Sequence, residues 1–421
     1  MTLPPNLQTI FRNAIDLNRY SNSVARKIIN QYNSIIVDSV NQLQGIDEAR
    51  APVKAARLRA IIAQLKDSLA TWAGDSTEIT ALELQGLAEL QSDFVQDQLR
   101  KALPAGSRNL VRTVEISPQF AQSVVSTDPT QINLVALSDD LFAAVEGPGA
   151  AAGAPRTFSL TATQGSTITL PNGQVVQKAF RGLAESQAEK FGQLVRQGLL
   201  TGEPTADIAR RLKGTIDRSD LDFADFGPLS EGQRRAAGLS IEDFKKAGGD
   251  LTRVTSNQIV TLVRTSVNQV ANAAANSVYE ANLDITKKYK YVATLDSRTS
   301  PICRALDGKE FEYGKGPQPP QHFGCRSTIV PIVDDDILPP SKVAKRASAD
   351  GPVSAELNYG QWLLKQGNSE QQKVLGSKAP YFRKIARKYG AKNAMAKMIR
   401  EDGSELSLDQ LRSRYGAVKK R

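Results

Sequence analysis

The 421-residue chain is poor in the side chains that most often carry chemistry: it has one histidine and two cysteines. Two cysteines cannot build a secreted disulfide framework, and a reducing cytoplasm would keep them as thiols. Aromatic residues make up only 6% of the chain against 40% hydrophobic residues, so its cores are expected to be aliphatic. No run of about 18 apolar residues occurs, so no membrane-spanning helix or membrane anchor is expected. Residues 1 to 20 lack the apolar stretch and small-residue site of a secretory leader. Also missing are a phosphate-binding Gly-Lys-Ser/Thr loop, a Gly-x-Ser-x-Gly elbow and a His-Glu-x-x-His pair. A chain of this length is expected to hold two to four domains.

What is present is unevenly distributed. Residues 341 to 421 hold 18 Lys and Arg against 7 Asp and Glu, whereas the other 340 residues hold 36 against 37. The whole net charge of +10 therefore resides in the last fifth of the chain. Such asymmetry points to a polyanionic partner; a solubilising tail is the plainer reading.

Apolar periodicity divides the chain into four parts. Residues 1 to 115 read as an N-terminal helical interaction domain. Ile10, Ala14, Leu17, Val24, Ile28, Tyr32, Ile35 and Leu43 recur near a 3.6 period. A second helix follows Pro52. Asp75 with Glu78 resembles a capping box that opens a third. Pro104 and Gly106 close the region. Residues 116 to 178 are expected to hold a linker, Glu146 to Pro155, and a β-hairpin turning at Asn172-Gly173. Residues 179 to 336 alternate helix and strand: a helix from Ala179, a short one capped by Thr205 and ending at Gly214, an acidic loop over 215 to 252, and a strong helix over Asn257 to Ala281. A two-residue period around Tyr289, Tyr291, Ala293 and Leu295 marks a strand, and Thr328 to Ile332 a closing one. Residues 337 to 421 read as a linker up to Tyr359, a basic helix over about Ala379 to Glu401 and a short helix near Leu408 to Arg414. The fold class is α+β, mainly α-helical: a mixed central module with a small sheet, all-α at both ends.

The lone histidine and both cysteines fall within 23 residues: Cys303, His322 and Cys325. His322-Phe-Gly-Cys325 sets a nitrogen and a sulfur donor on one tight turn. Zinc accepts thiolate and imidazole together and takes four ligands; Asp296, Asp307 or water is the candidate fourth. Three readings stay open here: a structural zinc site, a Cys303–Cys325 disulfide formed late, and a metal-free loop with packed thiols. A zinc-dependent hydrolase or nuclease using the same cluster is the catalytic alternative, but one histidine cannot be both ligand and general base.

In the last segment Arg383, Lys384, Arg387, Lys388, Lys392 and Lys397 are the candidate DNA-binding residues. Four of them, at 383, 384, 387 and 388, repeat at helical spacing, as suits contact with phosphates without base reading.

The motif residues resemble the phage head morphogenesis family, the minor head proteins related to the F protein of phage Mu. The matching residues are Arg264 and Thr265 on a helix, then Thr294, Asp296, Thr299, Cys303, Leu306, Asp307, Gly308, Lys309 and Phe311. Pro319, Pro320, His322, Cys325 and Arg326 follow. The likeness covers about residues 180 to 332. Ser300 and Ser327 stand where many relatives have cysteine, and Ser266 where many have an acid. The resemblance implies a structural rather than catalytic protein, located in the virion head near the portal vertex and in the host cytoplasm during assembly. It implies a portal protein and a major capsid or scaffolding protein as partners, and a role in DNA packaging or delivery. Double-stranded DNA, bound without sequence preference, is the polyanion that fits the basic tail.

Overall fold

The computed structural model describes residues 7–44, 46, 51–126, 159–162, 170–200, 203–212, 251, 253–333 and 345–418. The chain starts with two long helices, α1 (Leu7–Gln44) and α2 (Ala51–Ala102). A short strand β1 (Thr113–Ile116), helix α3 (Gln122–Val125) and strand β2 (Ser159–Ala162) follow, with β1 and β2 paired in parallel. Helices α4 (Val176–Leu200), α5 (Thr205–Leu212) and α6 (Arg253–Ala281) complete the helical body.

The apolar stripes of α1, α2, α4 and α6 face one another. Ile28, Tyr32 and Ile36, Leu65, Leu69 and Trp72, Phe180 and Phe191, and Val263, Val267 and Val270 form one continuous core. It runs across the boundary drawn near residue 115. The expected aliphatic core is pinned by one aromatic group: the Trp72 ring lies 5.3 Å from Tyr32 and 5.7 Å from Phe180. Its indole N–H, which burial would otherwise leave unsatisfied, donates to the Ile28 carbonyl.

After α6 the chain forms a three-stranded antiparallel sheet, β3 (Lys288–Val292), β4 (Glu310–Glu312) and β5 (Thr328–Ile332), ordered β4-β3-β5. Helix α7 (Pro301–Leu306) lies between β3 and β4. The hairpin β6 (Lys345–Ser348) and β7 (Gly351–Ser354) leads into α8 (Tyr359–Lys365), α9 (Asn368–Leu375), α10 (Ala379–Tyr389), α11 (Ala391–Ala394) and α12 (Leu408–Tyr415). These share a second core around Tyr359, Trp362, Phe382, Ile385 and Leu411.

Four expectations need correction. The residues read as a capping box, Asp75 and Glu78, lie inside the unbroken α2. The polar hydroxyls there do not stop the helix, because Thr77 and Thr80 donate to the carbonyls of Ala73 and Ser76 one turn back. The Asn172-Gly173 turn is present, with Leu170 N–H donating to Gln174. Val175 and Val176, however, are buried and lead into α4, not into a second hairpin arm. The stretch read as a linker before Tyr359 contains the β6–β7 hairpin. The basic helix stops at Tyr389, because Gly390 has φ 81°, a conformation that suits glycine and ends a helix. Glu146 to Pro155, Gly45, Gly214 and nearly all of 215 to 252 lie outside the described residues.

Candidate functional site

The site grows from α6 and the sheet edge. On α6, Thr265 donates to the Thr261 carbonyl and accepts the Gly324 amide at 2.8 Å, which clamps the His322–Cys325 turn to the helix. Ser300 caps α7 and accepts the Cys303 amide, placing Cys303 on its first turn. Tyr291 on β3 brings its hydroxyl to 3.3 Å from the Cys303 sulfur.

The three rare donors converge as their clustering suggested. Cys303 Sγ lies 3.7 Å from Cys325 Sγ and 3.4 Å from His322 Nε2. His322 Nδ1 faces the Phe323 carbonyl at 2.9 Å, so the ring's other nitrogen points at the sulfurs. The thiols are free, so no disulfide joins them. Each cysteine is only 1% exposed, whereas His322 is half-buried. The Cys303 hydrogen bond, and His322 against the opposing effect of burial, hold the Cys325 thiol well below its ordinary pKa. The same hydrogen bond between the two sulfurs, and then burial, raise Cys303. The bond to Cys325 raises His322.

These spacings can be set against a metal. Two sulfurs about 2.3 Å from one tetrahedral zinc would lie about 3.8 Å apart, and a sulfur and an imidazole nitrogen about 3.6 Å apart. Both observed separations agree within about 0.2 Å. Among the described residues the convergent donor group is Cys303, His322 and Cys325 alone.

Asp296 is not part of it. Its carboxylate takes Arg326 at 2.6 and 2.8 Å and also accepts from Thr299. Burial alone would raise its pKa, but Arg326 brings it below the ordinary carboxylate range. Asp307 is likewise engaged elsewhere. It accepts the amides of Ala293 at 2.7 Å and Tyr359 at 2.6 Å and pairs with Arg346 at 2.9 and 3.0 Å, fully out of solvent. Gly308 beside it has φ 78°, and a Cβ there would stand 2.8 Å from the Asn358 side chain. Asp307 and Gly308 thus join the sheet loop to the C-terminal region.

Sequence reasoning missed Arg346, which supplies the counter-charge to Asp307. It also missed Arg304, which reaches the carbonyls of Ser297 and Val374 and lies over the Tyr359 ring. Neither carries a periodic signal, and Arg346 sits in a stretch with the composition of a tail.

The basic residues of the last segment divide in two. Arg383 donates to Gln371 and Lys384 to the carbonyls of Gly416 and Ala417, and both are half-buried. Arg387, Lys388, Lys392 and Lys397 are exposed, with the Lys388 and Lys397 ammonium groups 5.1 and 4.7 Å from the Tyr389 ring centre.

No curated protein and no solved structure matches the chain. The family described as phage Mu protein F like protein matches residues 189–330, which include the whole Cys303–His322–Cys325 cluster and the α6 face that clamps it. Over this region the chain is similar to the phage Mu F-like proteins, and the resemblance of its motif residues to the phage head morphogenesis family rests on the same segment.

Proposed function

We propose that the protein is a minor head protein of a tailed bacteriophage, associated with the portal vertex and acting in head assembly and in packaging or delivery of DNA. The observation that carries this reading is that the phage Mu F-like region is built around a donor cluster of two buried cysteines and the half-buried His322 that braces the loops around it. In this reading the portal protein and a major capsid or scaffolding protein are its partners. The role is structural rather than catalytic.

The cluster is proposed to hold one structural zinc through Cys303, His322 and Cys325, with a non-protein ligand in the fourth position. Metal binding would then tie α7 to the His322–Cys325 turn, and its energy would be folding energy. Ser300 and Ser327, where relatives have cysteine, limit the protein ligands to three.

The exposed Arg387, Lys388, Lys392 and Lys397 are proposed to contact DNA phosphates without reading bases. Arg383 and Lys384 contribute charge from behind, since both already bind acceptors within the chain.

Three measurements test this. Mass spectrometry of purified virions of the encoding phage should find the chain, and its absence from virions would overturn the assignment. Elemental analysis should find about one zinc per chain, lost in Cys325→Ser together with thermal stability; a metal-free protein of full stability rejects the zinc. DNA affinity should fall by about 0.9 log units per log unit of salt for each phosphate neutralised. Replacing both Arg387 and Lys388 with Glu should flatten that slope; unchanged binding assigns these cations another role.

A further inference from the structure

The resemblance singled out Arg264, yet the site described above gives it no task. Thr265 clamps a turn, Asp307 and Gly308 hold the C-terminal region, and Arg326 pairs with Asp296. Arg264, on the neighbouring face of α6, borders a separate cavity of about 340 Å³ between α1, α6 and the loop after β3. That is near the lower end of ligand cavities, about 300 to 1,000 Å³, and suits a small group rather than a peptide helix.

The cavity wall is rich in cations. Arg264, Arg298, Arg326 and Arg346 line it, with Asn18 and Asn22 of α1. Arg346 is neutralised by Asp307, which lies outside this wall. Asp296 serves both remaining paired arginines: it holds Arg326 bidentately and stands 3.7 Å from Arg298. One carboxylate therefore faces three guanidinium groups. Arg264 has no carboxylate partner among the described residues. One of its terminal nitrogens donates to Asn22 at 2.9 Å, and its Nε is buried with no hydrogen-bond partner among the described residues.

A half-buried guanidinium without a counter-charge is costly unless something supplies one. Burial, then the charges of Arg326 and Arg298, hold the Arg264 pKa below the ordinary guanidinium value, as expected of like charges crowded together. The side chain of Arg298 is 80% exposed where it borders the cavity, whereas that of Arg326 is 16% exposed and held by Asp296. Planar guanidinium forks match the oxygens of phosphate, and neighbouring asparagine amides supply neutral donors.

We propose that this cavity is an oxyanion site that takes a phosphate group, bound by Arg264 and Arg298, with Arg326 held ready by Asp296. The phosphate comes either from a DNA backbone or from a free phosphate compound; the chemistry of recognition is the same. The cavity lining shares no residue with the Cys303–His322–Cys325 cluster or with the exposed cations of the last segment.

The test uses the full chain and inorganic phosphate as probe, titrated calorimetrically, with sodium chloride at matched ionic strength as control. Saturable phosphate binding is expected. Arg264→Gln should weaken it roughly tenfold or more, the usual consequence of losing a charge-assisted hydrogen bond. Arg298→Gln should weaken it less. If Arg264→Gln fails to fold by circular dichroism, Arg298→Gln decides alone, because that side chain is mostly in solvent. No saturable binding beyond the chloride control, or equal affinity in the folded variants, overturns the proposal. A short DNA duplex is then added to the phosphate complex. Displacement of phosphate in the wild type but not through the exposed 387 and 388 cations assigns the site to DNA backbone, and no displacement assigns it to a free phosphate compound. Both outcomes support the site.

Discussion

The helical body and the loop-rich region after residue 288 are held together by different means. In the body, α1, α2, α4 and α6 meet through long apolar stripes, and the polar groups within them mostly bond back to their own helix. In the loop region a few polar groups each hold several segments. Asp307 alone ties β3, α7, β6 and the start of α8. The body therefore spreads its stability over many similar contacts, each replaceable in part. The loop region concentrates it in single groups whose removal leaves a buried partner unsatisfied.

The comparison can be broken most directly at Asp307. Asp307→Ala should cost about 3–5 kcal/mol in urea unfolding, because Arg346 is left as an uncompensated buried charge. Hydrogen exchange should quicken across 345 to 418 while α1 and α2 stay protected. A loss below about 1 kcal/mol would mean that Asp307 is not the joint it looks like.

Leu65→Ala in the body should cost about 2–5 kcal/mol, since Leu65 is wholly buried in the main core. Its effect should differ in kind: exchange should rise along all four long helices together. Protection lost only near residue 65 would contradict a shared core.

A smaller effect is expected at Ser407, which forms a capping box with Gln410 at the start of α12. Ser407→Ala should lower stability by about 1 kcal/mol, with the Leu411 end of the second core exchanging faster. A neutral substitution would show that packing alone sets this helix.

The smallest effect sharpens the view of the body as weakly charge-dependent. Glu83 accepts from Tyr20 and from Lys27 across the α1–α2 contact, and these two bonds, Tyr20 first, hold its pKa below the ordinary value. A carboxylate with a lowered folded pKa stabilises above its unfolded pKa, and that contribution disappears as pH falls through the folded value. Stability should therefore decline in acid below about pH 4.5, and Glu83→Gln should flatten that part of the profile. An unchanged profile would place the acid sensitivity elsewhere, with Asp296 the next group to replace.

Much of the body was legible because helical periodicity is local. The helix read over 257 to 281 is present as Arg253–Ala281, and the strand read at Thr328 to Ile332 has those same ends. The errors arose where local signals have two outcomes. Asp75 and Glu78 suit a helix start and an exposed helix interior equally. An Asn-Gly turn can lead into a helix as readily as into a strand. Gly390 was overlooked as a stop because the basic pattern continues past it. The Cys303, His322 and Cys325 cluster could be found from rarity and spacing, whereas nothing local told that the nearby acids Asp296 and Asp307 turn to Arg326 and Arg346 instead.

By itself the sequence determined α1, α4 and α6, two strands of the small sheet, the basic end and the three donors that converge, because each is written in neighbouring residues or in side chains too few to be placed by chance. Only the tertiary structure decided which acid meets which arginine. Asp296 finds Arg326 across 30 residues and Asp307 finds Arg346 across 39, while Arg264 borders a cavity and meets no acid of its own among the described residues. Charge pairing depends on distance in space and on burial, and neither is encoded in local periodicity.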